Sequence, residues 1–200
     1  MSHTVLAIDT STSLISWAVM NAGELILEHQ SPERASSGLA ASLHPHREIL
    51  SKTDEILVGV GPGSFSGIRA AIATAQGLRS VWGCDVKAIR SSHALAWSQK
   101  HISFLGVFAD ARRNQYFFTG YEEGRMTRKT QVIERHEVED YLSKCTLAVS
   151  AESDELIPNE VTLHAMDLIF YQKNFSFSDE LELEPIHLRE SVAKTKHPAV

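Results

Sequence analysis

Cysteine is scarce in this 200-residue chain: Cys84 and Cys145 are its only two. They lie far apart, with no second pair, which excludes a disulfide framework and a cysteine-based zinc or redox motif and leaves two reduced thiols. Long apolar runs are also missing. No stretch approaches the ~20 apolar residues of a membrane span, and the opening Met1-Ser2-His3-Thr4 lacks the basic and apolar regions of a signal peptide. No membrane partner and a cytoplasmic location are therefore expected. Basic charge is in deficit, with 19 Lys and Arg against 25 Asp and Glu and a net charge of -6. A surface that grips nucleic acid unaided needs clustered Lys and Arg, so a role on RNA would require a partner. What is present is ordinary for a globular protein, with 43% hydrophobic and 22% charged residues, and a length of 200 residues is enough to bury roughly 70% of the unfolded surface.

Hydrophobic periodicity gives the order of elements. Residues 5–8, 16–20 and 24–29 read as a three-strand meander with a turn at Asn21-Ala22-Gly23. Residues 36–50 place Leu39, Leu43, His46 and Leu50 on one helical face, with Pro45 set to end or kink the helix. A strand over 56–60, a helix over 66–82, a strand over 86–89 and a helix over 92–99 follow in β-α-β-α order, which packs helices on a sheet. A second meander opens near 103, with strands at 104–108, 115–121 and 126–133. A helix over 138–144, a strand over 146–150 and a helix over 164–172 complete the pattern, which is weakest over 151–180. A first lobe over 1–102, a smaller second lobe over 103–180 and a tail over 181–200 that packs back on the body are expected.

Two segments have the composition of an anion site. Asp9, Thr10 and Ser11, followed by Thr12 and Ser13, lie between the first two strands. Hydroxyls and backbone NH groups there can surround a phosphate, or simply satisfy a turn. Gly61-Pro62-Gly63-Ser64-Phe65-Ser66-Gly67-Ile68-Arg69 joins a strand to a helix through a glycine-dense turn that Ser64 or Ser66 can cap. A helix start favours an anion, yet no Gly-Lys-Ser/Thr ends the turn as in a P-loop. A structural turn that lets two backbones approach is the better reading of these residues, and Asp9, Thr10, Ser11, Gly61, Gly63 and Ser64 remain candidate nucleotide or phosphate contacts.

The helix after the turn has two non-polar faces. Ile68, Ala71, Ile72, Ala75, Leu78 and Trp82 form a core face at ~100° per residue. Gly67, Ala70, Ala73, Thr74 and Gly77 form a second, small-residue face that admits another helix, either that of residues 36–50 or one from a different subunit. No catalytic constellation accompanies it. His44-Pro45-His46 has the wrong spacing for a helical metal pair, and no Gly-x-Ser-x-Gly elbow is present. Asp110 and Arg112 can pair across their turn or point into a cleft. Glu122, Glu123, Arg125, Arg128 and Lys129 read as a solvated hairpin with no interleaved aromatics to stack on bases.

Taken together, Leu6-Ala7-Ile8-Asp9-Thr10-Ser11, the segment 61–69, Ala75-Gln76-Gly77-Leu78, Asp110-Ala111-Arg112, and Glu184-Pro185-Ile186-His187-Leu188-Arg189 with Val192-Ala193 resemble the TsaB (YeaZ) family. The resemblance is strong over 4–120, faint over 121–180 and returns in the tail. It implies an α/β, actin-like (ribonuclease H-like) two-lobed fold with a reduced second lobe. It also implies a non-catalytic subunit of the machinery that places threonylcarbamoyl on the adenosine beside the anticodon of tRNA. The partners implied are a TsaD-like catalytic paralogue, whose metal pair this chain lacks, and a TsaE-like ATPase. tRNA would be met through the complex, and the isolated chain can pair with itself. Leu39, Leu43, Gly67, Ala70, Ala73, Thr74 and Gly77 are the expected partner interface. No cofactor is required, although ATP or ADP with magnesium at a subunit interface fits the fold. The chain departs from the family pattern at Ser36-Ser37-Gly38-Leu39-Ala40-Ala41 and the brief Lys52-Thr53-Asp54 connection. A stand-alone actin-like nucleotide hydrolase, or an enzyme like the M22 glycoproteases, is the competing expectation.

Overall fold

In the computed structural model, residues 3–175 and 181–186 are described. The first lobe contains β1 (Thr4–Asp9), β2 (Ile15–Asn21) and β3 (Glu24–Ser31), then α1 (Ala35–Leu43), a 3₁₀ turn (His44–His46) and α2 (Arg47–Leu50). β4 (Glu55–Gly59), α3 (Phe65–Trp82), β5 (Asp85–Ile89) and α4 (Ser92–Ser98) follow. Pro45 sits at the start of the 3₁₀ turn and splits the helical stretch there, because it lacks the NH that would continue the helix. α3 is capped by Ser64, whose hydroxyl accepts from the Gly67 NH, and ends at Gly83 in the left-handed region at φ 70°.

The second lobe contains β6 (Leu105–Arg112), β7 (Gln115–Glu122), β8 (Arg125–Glu134), a 3₁₀ turn (Arg135–Glu137), α5 (Val138–Ser143), β9 (Leu147–Ser150) and β10 (Asn159–Glu160). α6 (Ala165–Asn174) follows. The sheets run β3-β2-β1-β4-β5 and β8-β7-β6-β9-β10. Each is an antiparallel meander extended by two parallel strands, so the second half of the chain repeats the path of the first. The second lobe is the leaner copy, with a two-residue last strand and only the six-residue α5 on its outer face.

Alternation along the strands sorts the side chains into layers. Leu6 and Ile8 of β1, with Ile56 and Val58 of β4, face outward onto α1 and α3 in one core. Val5, Ala7 and Leu57 face inward, in a core that also takes Ala94 and Leu95 of α4, Leu168 and Ile169 of α6, and Leu105, Val107 and Tyr121 of the second sheet. Phe108, Phe118 and Val138 build a third core outside the second sheet. The layers therefore run helix, sheet, helix, sheet, helix, and this is the two-lobed actin-like α/β fold. Strands buried on both faces read as continuous apolar runs, which is why 56–60 carries no alternation in sequence.

Three details differ from the sequence reading. β6 continues through Asp110 to Arg112 with a register shift, so the turn is confined to Arg112, Arg113 and Asn114, all at positive φ. β10 has no sequence signal at two residues. α6, although it follows the second sheet in the chain, packs on α4 and on β1 and β2 of the first. Of the expected tail, Leu181, Leu183 and Ile186 pack on the first lobe's outer core, and the Ile186 NH donates to the Val60 carbonyl at 3.0 Å. His187, Leu188, Arg189, Val192 and Ala193 lie outside the described residues. Among the described residues no helix is long and apolar enough to cross a membrane.

A polar knot ties the middle layer together. His93 of α4 stacks flat on Tyr171 of α6, with ring centroids 4.1 Å apart, and its Nδ1 lies 2.9 Å from the Tyr121 hydroxyl of β7. Ser92 Oγ lies 2.7 Å from the same hydroxyl. Burial, with the Arg90 charge adding to it, pulls the His93 pKa down to about 3, so the ring is neutral in the folded chain. An unfolded histidine binds its proton near pH 6.5. Stability is therefore undiminished above that value and falls as pH drops from about 6.5 toward 3, where only the unfolded chain takes up the proton. In His93→Phe, which keeps the stack and cannot titrate, the melting temperature should fall less steeply between pH 6.5 and 4 than in the parent; parallel slopes by circular dichroism would refute this origin.

Candidate functional site

The site begins with Asp9 at the end of β1. Its carboxylate is buried, and Oδ1 accepts from the Ser11 NH at 2.8 Å and from Ser11 Oγ at 2.7 Å. Burial pushes the Asp9 carboxyl up from the usual range, against the pull of hydrogen bonds from Ser91 and Ser11. The turn beyond it is fastened to the glycine loop fifty residues on. Thr10 Oγ1 donates to the Gly67 carbonyl at 2.7 Å, and the Ser64 NH donates to the Ser11 carbonyl at 2.6 Å. Ser91, just before α4, holds the loop from behind: its Oγ accepts from the Gly61 NH at 3.0 Å, and its NH donates to the Gly61 carbonyl at 2.8 Å.

Close approach explains the glycines. A Cβ on Gly63 would overlap the Ser11 carbonyl, one on Gly67 the Thr10 carbonyl, and one on Gly59 the Asp9 carboxylate. The room these residues leave is thus filled by the neighbouring turn, while Gly61, at φ 97°, supplies the left-handed bend before Pro62. The loop brings two backbones together.

Between the lobes lies a cleft of about 890 Å³, lined on one side by Ser11, Gly63, Ser64 and Ser66 and on the other by Asp110, Arg112, Glu152 and Asp154. Such a volume suits a small-molecule ligand. Of the six expected phosphate contacts, Ser11, Gly63 and Ser64 line it, whereas Asp9, Thr10 and Gly61 lie behind the wall. Asp110 and Arg112 do both things foreseen for them. They pair at 2.9 Å on the surface, and both line the cleft. The Ser13 NH donates to Glu152 Oε1 at 2.6 Å and bridges the cleft mouth. Pro185 and Ile186 also line it.

One relation is invisible to motif reading. Asp110 ends β6 as Asp9 ends β1, and its Oδ1 likewise accepts from the NH two residues on, at 2.6 Å from Arg112. The signal that could have exposed it is the doubled meander. Among the described residues no group of three or more His, Cys, Asp and Glu side chains is placed to hold a metal ion.

The seven expected interface residues divide. Leu39 and Leu43 are buried inside the chain, where α1 packs on α3 and the sheet, and Gly67 is spent on contact with Thr10. The two leucines are internal because α1 is the helix that covers this side of the core, and Gly67 because the turn after β1 presses against it. Ala73 and Gly77 are exposed, and Ala70 and Thr74 half-buried, with no atom within 4 Å of where a Gly77 Cβ would stand. Missed by the sequence reading, Val81 is 79% exposed on the same outer face, and Phe65 at the helix start is 50% exposed.

The hairpin of β7 and β8 also needs correction. Its cations are not merely solvated: Arg128 lies over the Phe104 ring and Arg125 over Phe175, at 4.8 and 5.2 Å from the centroids. The aromatics come from segments remote in sequence, so local interleaving could not show them.

The two helix glycines make a matched test. Gly67→Ala must push Thr10 away and should cost about 2–3 kcal/mol of unfolding free energy, while Gly77→Ala, in open space on a helix, should gain about 0.5–1 kcal/mol. Urea unfolding of both variants gives the answer; equal effects would contradict the packing described.

A family model described as TsaD: tRNA N6-adenosine threonylcarbamoyltransferase matches residues 40–194. The tRNA threonylcarbamoyladenosine biosynthesis protein TsaB of Haemophilus influenzae is 26% identical, over 98% of this chain and 97% of that protein. An uncharacterized protein of Mycobacterium tuberculosis is 29% identical over 62% of each, so the chain spans about 62% of the length of the mycobacterial relatives it matches. Among solved structures, a Pseudomonas aeruginosa protein with similarity to peptidase YeaZ superposes with a TM-score of 0.74 at 23% identity, covering 94% of this chain and 100% of that one. YeaZ from the same organism gives 0.69 at 22%, over 86% and 91%. At these identities the structures speak for the fold, and the family match, which spans most of the chain, speaks for descent: the chain belongs to the TsaD family, in its TsaB/YeaZ branch.

Proposed function

We propose that this chain is a non-catalytic scaffold subunit of the assembly that places threonylcarbamoyl on the adenosine beside the anticodon of tRNA. It supports a TsaD-type catalytic paralogue and works alongside a TsaE-type ATPase. The observation that carries this reading is the outer face of α3. Ala70, Ala73, Thr74, Gly77 and Val81 leave a shallow, small-residue strip open, and such a strip lets a second helix approach at short interaxial distance. A monomer gains nothing from keeping Val81 in water. The TsaB relative of Haemophilus influenzae named above supports the setting. A second copy of the chain is the competing occupant of the same strip when the catalytic paralogue is absent.

The cleft supports a subordinate reading, in which ATP or ADP, with its magnesium, binds against Ser11, Gly63 and Ser64. The NH groups at the start of α3 favour the phosphates there. Calorimetry with ATP and magnesium on the purified chain and on its complex should then give saturable heat; none in either would remove the nucleotide from the scheme.

Mixing the chain with its cognate TsaD-type protein should give a heterodimer by mass photometry at micromolar concentration. Gly77→Leu should weaken it tenfold or more, about 1.4 kcal/mol, without lowering the melting temperature, because the added side chain enters open space. Full assembly of the variant would move the contact to another face. Restoration of threonylcarbamoyladenosine in tRNA of cells depleted of their own TsaB tests the role itself.

A further inference from the structure

Elements remote in sequence meet beside the β7–β8 hairpin, where two such meetings and one local contact at the end of α4 each seat a cation on an aromatic ring. At the end of α4, Lys100 Nζ stands 3.7 Å from the Trp97 ring centroid. At the β7–β8 turn, Arg125 covers Phe175, which follows α6. Along the same hairpin, Arg128 covers Phe104. The junction is tight: a Cβ on Gly124 would come 2.9 Å from Phe175 and 3.1 Å from the Lys100 Cβ, and one on Gly120 would meet Arg128 and Phe104 at 3.0 and 3.2 Å. Trp97 is itself stacked on Phe170, with centroids 5.8 Å apart, and meets Phe175 edge-on at 6.2 Å, so Lys100 and Arg125 share one aromatic base while Arg128 has its own in Phe104.

Three ring-seated cations outside any ion pair gather on this surface. Lys87, Arg112, Arg135 and Lys144 are each paired with a carboxylate. Among the described residues, no carboxylate lies within ion-pair distance of Lys100, Arg125 or Arg128. Rings hold these cations in place without neutralising them, although Lys100 also feels the Asp167 carboxyl nearby. Arg125 and Arg128 lie three residues apart on one strand, about 10 Å, with Glu122 and Glu123 bounding the patch at the turn. An acidic chain that keeps three cations pre-positioned on rings and outside any ion pair offers a polyanion a fixed set of phosphate contacts. Among polyanions, the tRNA setting proposed above selects RNA over an acidic peptide.

We propose that this surface, the β7–β8 hairpin with the ends of α4 and α6, is an RNA-binding site that grips the phosphodiester backbone of folded tRNA within the assembled complex. The proposal rests on the tRNA-modification reading above and deepens it, because the scaffold would touch the substrate itself. The overall charge of -6 rules out a generally adhesive surface, and a local patch is what remains.

The test uses fluorescein-labelled bacterial tRNA with the chain and its TsaD-type partner together, and with each protein alone, in salt from 50 to 250 mM. Three phosphate contacts predict that adding the chain steepens the log affinity against log salt by about 2–3. The triple variant Lys100→Gln, Arg125→Gln, Arg128→Gln should lose that increment and bind at least tenfold more weakly at 50 mM salt, whereas Arg125→Lys with Arg128→Lys should retain it. Arg125→Gln alone, which should reduce the slope by about 1, serves if the triple variant fails to fold. Unchanged affinity and slope in a folded variant overturns the site, as does displacement of the tRNA by polyglutamate at equal charge concentration. The mass of the protein assembly is read in the same samples. Intact assembly without a change in RNA affinity defeats this surface alone, while a chain that binds tRNA but never its partner defeats the scaffold reading.

Discussion

Everything in this molecule is arranged around a layer that must satisfy two sheets at once. α4 and α6 lie between them, and a helix buried on both sides can carry almost no polar group without a partner. The polar groups it does carry are neutral and mutually satisfied: Ser92, His93 and Tyr121 share one hydroxyl, and Tyr171 lies flat on the imidazole. Because these residues come from α4, β7 and α6, the contact that fills the core also fixes how the lobes face each other. Ser91, one residue before α4, then carries that fixed point outward to the glycine loop.

The cleft therefore inherits its walls from the core. One wall is the turn after β1 pressed into the glycine loop; the other is the turn after β6. Both meanders place an aspartate at the same point of the path, with the same backbone bond. Their surroundings differ: Asp9 is buried behind other residues, while the Asp110 side chain is 45% exposed and paired with Arg112. Repetition of a fold has delivered two equivalent positions, and packing has given them different chemistry.

How much of this the sequence disclosed depended on range. The strands at 5–8, 56–60 and 86–89, the helix at 66–82 and the break at Pro45 announce themselves because local composition is enough. The filling of the glycine turn by a neighbouring backbone was readable in kind, since three glycines beside a capping serine mark a close approach. That the neighbour is Ser11 was not. Leu39 and Leu43 have the pattern of any amphipathic face, and nothing local says whether a sheet or a foreign helix covers it. Phe104 and Phe175 each look like ordinary apolar residues, and only the pairing of β6 with β7 and β8 and the return of α6 bring them to the hairpin cations. Short pieces such as β10 carry too few residues for any period to register.

The fastening of the first turn bears on how this chain can change over generations. Three positions, 59, 63 and 67, are held without side chains by carbonyl and carboxylate oxygens at 9, 10 and 11, so drift at either end has to be answered at the other. The turn after β6 has no such correspondent. Its three left-handed residues, Arg112, Arg113 and Asn114, stand in water with side chains intact. Of two turns alike in path, the first can vary only in concert with a distant loop, while the second answers to its own left-handed backbone and to the neighbouring Arg135 NH, which donates to the Asn114 carbonyl.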